Sequence, residues 1–86
     1  MDIGVEISLY PLHQDYIPPI HDFLERLNTD KRLRVVTNSM STQVFGPYEE
    51  VMEVLRRELR ASFEQLGAQG EKGVFVMKLL GPLPGA

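Results

Sequence analysis

Apolar residues recur with two different periods along this chain, and the switches between them mark its elements. Ile3, Val5, Ile7 and Leu9 alternate with Gly4, Glu6, Ser8 and Tyr10. That period of two predicts a strand from Ile3 to Leu12, with one aliphatic face and one mixed face. Pro11 ends the ladder because it has no N–H to donate. Beyond the polar connection His13-Gln14-Asp15 the period changes. Ile17, Ile20, Phe23, Leu24 and Leu27 form a stripe at helical spacing. Pro18 and Pro19 fit only in a first turn, so a helix is predicted from Pro18 to Asn28.

Arg32 to Asn38 and Ser41 to Phe45 read as two strands joined by a turn short enough to make an antiparallel hairpin. In the first of them Leu33, Val35 and Thr37 face one way, and Arg34, Val36 and Asn38 the other. The pattern does not say which set meets the helices. Gly46-Pro47 opens a long second helix whose apolar stripe is Tyr48, Val51, Met52, Leu55, Leu59, Phe63 and Leu66. Glu49 and Glu50 suit the positive end of its dipole. Glu53 can reach Arg57 at four residues, and Gly67 is placed to cap the C-terminus. Val74 to Leu80 is apolar at nearly every position, which predicts a strand buried on both faces. Gly81 to Ala86 reads as a tail.

The order strand, helix, strand, strand, helix, strand predicts an α+β, ferredoxin-like βαββαβ sandwich. Its four-stranded antiparallel sheet carries both helices on one face. With 86 residues the chain is a single domain. If the helices cover the aliphatic face, the other face carries Glu6, Ser8, Tyr10, Val74, Val76, Lys78 and Phe45. Phe75, Met77 and Leu79 then suit the core. Soluble monomers rarely leave so apolar a face open. A second, twofold-related copy is therefore expected to cover it, giving a homodimer; the pattern does not say whether dimers pair further into a tetramer.

Composition removes several functions. The net charge is −3, and Tyr10 and Phe45 are the only aromatics placed for an RNA-binding sheet, so no nucleic-acid partner is expected. There is no cysteine, hence no disulfide, thiol catalysis or Cys-based metal site. No apolar run is long enough to span a membrane. Met1-Asp2-Ile3-Gly4 lacks the basic start of a secretory signal, so the expected location is cytoplasmic. The loop Pro11 to Asp15 has no arginine, which argues against an acylphosphatase-type enzyme. His13 and His21 read as surface histidines. No catalytic residue, metal or cofactor is expected.

The unusual stretch is Thr37-Asn38-Ser39-Met40-Ser41-Thr42, where five of six side chains are hydroxyls or amides. Such residues favour turns, because they bond to nearby backbone. By chemistry alone this is a polar hairpin turn.

Two motifs add to that reading. Ser8-Leu9-Tyr10-Pro11-Leu12 at the end of the first strand resembles the YkoF-like thiamine- and hydroxymethylpyrimidine-binding family. So does Thr37-Asn38-x-Met40-Ser41-Thr42 followed by Gly46, and Val74 to Leu80 is similar to that family's fourth strand. The resemblance implies a ferredoxin-like domain that binds the aminopyrimidine part of thiamine. Some members carry two such domains in tandem, so here a second copy would stand for the missing half. It implies a ligand-binding set of Ser8, Tyr10, Thr37, Asn38, Met40, Ser41 and Thr42. The chemistry is compatible: hydroxyls donate and accept, and Asn does each with a different atom. Tyr10, Phe45 and Met40 are candidates to contact a flat ring. Glu6 or Asp15 would balance the thiazolium cation. Without a Gly-rich phosphate cradle, unphosphorylated thiamine or the free pyrimidine is expected over the diphosphate. The rival reading is a homo-oligomeric assembly or regulatory module with no small ligand.

Overall fold

The computed structural model describes residues 1–84. The chain runs β1 (Asp2–Pro11), α1 (Ile17–Thr29), β2 (Arg34–Thr37), β3 (Thr42–Pro47), α2 (Tyr48–Ala68) and β4 (Gly73–Leu83). The four strands form one antiparallel sheet in the order β2-β3-β1-β4. This is the ferredoxin-like arrangement, with both helices on the same face.

The core lies between that face and the helices. Ile3, Val5, Ile7 and Leu9 of β1 and Val44 of β3 meet Phe23 and Leu27 of α1 and Val51, Val54 and Leu55 of α2. The odd-numbered residues of β1 point inward, as their alternation requires. The ambiguity in β2 is settled by its register. Val35 lies opposite the fully buried Val44, so Leu33, Val35 and Thr37 face the helices.

Several expectations are corrected. Pro47 is the last residue of β3 and precedes α2, whose first residue is Tyr48. Gly67 lies inside α2; the residue with positive φ that follows the helix is Gly70, at φ 70°. There the amide of Glu71 donates back to the Leu66 carbonyl at 2.9 Å. Gly81 to Leu83 continues β4, with Leu83 opposite Asp2, so three of the four described residues of the expected tail are sheet. Gly85 and Ala86 lie outside the described residues.

The buried stripe of α2 is also rotated from the expected one. Val54, Glu58 and Ser62 are buried, whereas Tyr48, Met52 and Phe63 are substantially exposed. Arginines make this possible. Arg26 of α1 donates to the Glu58 carboxylate and, at 2.7 Å, to the Ser62 hydroxyl. Arg57 donates to the second Glu58 oxygen at 2.9 Å. A buried carboxylate is tolerated when it is paired and hydrogen-bonded in this way. The network extends to Asp30, 2.9 Å from Arg32 and 3.6 Å from Arg57. The Arg32 side chain and backbone amide hold the Asp30 carboxyl well below its ordinary range, at about 2. Glu53 lies near Arg32, at 3.7 Å, rather than at Arg57.

β4 is the edge strand next to β1, and this explains why it is not buried on both faces. Phe75 reaches the core, in edge contact with Phe23 at 5.1 Å and Phe63 at 5.4 Å between ring centres. Met77 and Leu79, expected inside, stay 39% and 54% exposed beside α2. On the open face Val74 and Val76 are also about half exposed in the single chain.

Candidate functional site

The strands have unequal lengths, and the site arises from that mismatch. β3 begins at Thr42, opposite Ile7. β1 continues beyond Ile7 to Pro11, paired there only with β4. At this end of the sheet the β2–β3 turn stands over the continuing β1, and α1 passes alongside. The hollow between them has a volume of about 210 Å³. Ser8 and Tyr10 line it from β1, and Thr37, Asn38, Met40, Ser41 and Thr42 line it from the hairpin. Ile20, Phe23 and Leu24 of α1 supply an apolar wall.

The turn is held by its own side chains. Asn38 accepts the amides of Met40 and Ser41 on Oδ1, at 2.8 and 3.0 Å. Its own amide donates to the Ser41 carbonyl at 3.0 Å. This is the local side-chain-to-backbone chemistry that favours Asn in turns. It fixes the Asn38 side chain so that Nδ2 is its remaining donor. Thr37 and Thr42 are cross-strand partners, and their hydroxyls lie 3.1 Å apart on the helix side of the sheet. Thr42 is buried and Thr37 exposed, so the pair leads from the core to the rim.

A second hollow, of about 240 Å³, lies on the open face of the sheet. Ser8, Tyr10, Met40 and Ser41 line both hollows, so the two adjoin around the end of the sheet. Glu6, Val76 and Lys78 complete the second. The Ser41 hydroxyl donates to Glu6 Oε2 at 3.1 Å. Lys78 lies opposite Glu6 in the β1–β4 ladder.

All seven residues singled out in the sequence therefore border one hollow. Of the other candidates, Glu6 lines only the second hollow, and Phe45 and Asp15 line neither. Phe45 packs under the Arg34 guanidinium, 4.2 Å from the ring centre, and against Gly4, away from the hollow. Asp15 lies with His13 beside the start of α1 in a separate depression. Its amide donates to His13 Nδ1 at 3.1 Å, and His13 Nε2 is 3.1 Å from Glu71. The apolar wall from α1 was legible only as a helical core stripe. Glu6 was visible as an open-face residue two positions before Ser8, but its contact with Ser41 was not.

For a metal, His21, Asp22 and Glu25 are the one cluster among the described residues that brings donor atoms within 4.8 Å of one another. It lies on α1 outside the hollow. His21 and Glu25 are more than two-thirds exposed, and Asp22 already accepts a hydrogen bond from Gln65 at 3.0 Å. Among the described residues no helix is long and apolar enough to cross a membrane.

The fold and site define a ferredoxin-like domain with a small polar-rimmed hollow at one end of its sheet. The chain belongs to the YKOF-related family, whose model matches residues 2–79. Solved structures share the fold. A Streptococcus pneumoniae protein superposes with a TM-score of 0.84 at 19% identity, covering 96% of this chain and 89% of its own. A Thermotoga maritima protein, provisionally named a thiamine biosynthesis/salvage protein, gives 0.78 at 17% identity, with 92% and 82% covered. A hypothetical protein from Methanocaldococcus jannascii gives 0.76 at 18% identity, with 95% and 81% covered. No curated protein sequence matches the chain significantly.

Proposed function

We propose that this protein is a non-catalytic, cytoplasmic binder of thiamine or its hydroxymethylpyrimidine moiety. The observation that carries the reading is the convergence of Ser8, Tyr10, Thr37, Asn38, Met40, Ser41 and Thr42 on one hollow. Family membership and the thiamine-related name of the Thermotoga maritima structure support it. The rim offers hydroxyls that both donate and accept, and the α1 wall offers an apolar surface for a flat ring. At about 210 Å³ the hollow suits one substituted ring, and the adjoining hollow leaves room for a second. Glu6 in that second hollow takes the place of cation partner for a thiazolium, and Asp15 does not. A second copy of the chain covers the open face and closes the second hollow.

Isothermal titration with thiamine and with hydroxymethylpyrimidine tests the reading. Thr37→Val should weaken binding by about 1–3 kcal/mol if it leaves a ligand group unpaired. Absence of heat with both ligands would favour the second reading, an assembly module without a small ligand. The exposed Tyr10, Val74 and Val76 on the open face are the observation behind that alternative.

A further inference from the structure

The hollow has a main-chain wall as well as side chains. Antiparallel strands direct successive residues' N–H and C=O groups to alternate sides. Leu12 donates its amide to Lys72 at 2.8 Å, and Met1 accepts the amide of Tyr48 at 3.0 Å. The even-numbered residues of β1 therefore bond towards β4, and the odd-numbered ones towards β3. Ile7, opposite Thr42, is the last residue of β1 paired with β3. The next rung would join Leu9 to Met40. It is not made, because the Met40 amide is turned to Asn38 Oδ1 at 2.8 Å. Among the described residues no strand pairs with Leu9 on that side, although Leu9 lines the hollow. Its side chain is committed to the core, at 7% residue exposure.

We infer that the Leu9 main chain is the group that reads the edge of the ligand ring. Its N–H and C=O form a donor–acceptor pair at strand spacing, left open by the early end of β3. A 4-aminopyrimidine presents the complement in one plane: a ring nitrogen accepts and the adjacent amino group donates. The ligand then occupies the missing rung of the β1–β3 ladder. Backbone polar groups demand partners, and a fixed pair demands partners of fixed polarity. The hydroxyls of Ser8, Thr37 and Thr42 turn to suit either polarity, so they cannot by themselves distinguish an amino from an oxo group, and Ser41, whose proton goes to Glu6, is left only as an acceptor. Leu9 can. A free 4-oxopyrimidine is able to turn over and restore the match. A two-ring ligand anchored through its second ring in the neighbouring hollow is not.

This inference rests on the proposed binding of thiamine, and its test separates the two. Amide hydrogen exchange is followed by NMR with and without thiamine, and affinities are measured for thiamine and for its 4-oxo counterpart, oxythiamine. The Leu9 amide should exchange at least tenfold more slowly in the complex, while that of Ile7, already paired with Thr42, should change little. Oxythiamine should bind at least tenfold more weakly than thiamine. If thiamine binds but the Leu9 amide is unaffected, or if the two compounds bind equally, the role of Leu9 is overturned and the binding function stands. If neither thiamine nor hydroxymethylpyrimidine binds, both fall.

Discussion

Ser41 and Glu6, 35 positions apart in sequence, meet side chain to side chain at 3.1 Å where the β2–β3 turn reaches the open face of the sheet. The bond ties the turn to β1 and aims a carboxylate into the hollow next to the candidate ring site. Glu6→Gln keeps an acceptor for Ser41 and removes the charge. In titrations it should lower affinity for the cationic thiamine about tenfold, or about 1.4 kcal/mol, and barely change that for the uncharged hydroxymethylpyrimidine. Equal losses for both would remove Glu6 from the role of cation partner.

Asn38 holds the turn through Oδ1 and keeps Nδ2 as a donor. Asn38→Ala should destabilise the fold by about 1 kcal/mol, because two turn amides lose their acceptor. Asn38→Asp keeps the acceptor and loses the donor. Its melting temperature should stay near that of the parent while ligand affinity drops, and calorimetry on the two variants separates the roles.

Phe23 belongs to both core and site: it is 2% exposed, touches Phe75 edge-on and lines the hollow. Phe23→Ala should cost about 3–5 kcal/mol in chemical denaturation, from lost burial and the cavity left behind. Phe63→Ala, at a half-exposed ring, should cost clearly less.

Asp30 makes stability depend on pH in a defined window. Its carboxyl is held at about 2 in the folded chain, against 3.8 for the free group, by hydrogen bonds from Arg32. A depressed carboxyl stabilises the fold above its unfolded value and loses that contribution as pH falls. The stability advantage of the parent over Asp30→Asn should therefore be full above pH 4 and shrink as pH falls from about 4 to about 2. Denaturant unfolding at stepped pH measures it; a gap independent of pH would contradict the assignment.

The open face predicts self-association. Val76, opposite Ser8 on the edge strand β4, is half exposed there. Val76→Lys should shift the protein to monomer in light scattering at micromolar concentration, because it buries an unpaired charge in the covered face. A parent protein that is already monomeric there would show that no second copy covers this face.

The pattern of residues shows how much was legible beforehand. Alternation in β1 and the α1 stripe define the element order and, through it, the fold. The cluster Thr37 to Thr42 marks the candidate site, because five neighbouring uncharged polar side chains have no place in a core stripe. The stripe of α2 was misread for a specific reason. Periodicity sorts residues by their own polarity, whereas Glu58 and Ser62 are buried through Arg26, 32 and 36 positions away. Phe45 is a candidate for ring contact on its aromatic character alone, and its packing with Arg34 and Gly4 takes it elsewhere.

By itself, then, the sequence determined the elements, their order, the inward face of β1 and the stretch that would border the site, because these follow from spacing along one strand or helix. Only the tertiary structure decided where β3 stops against β1, which carboxylate reaches the hollow, and which face of α2 is buried. Those outcomes depend on register and on partners distant in the chain, and a residue's own side chain carries no record of either.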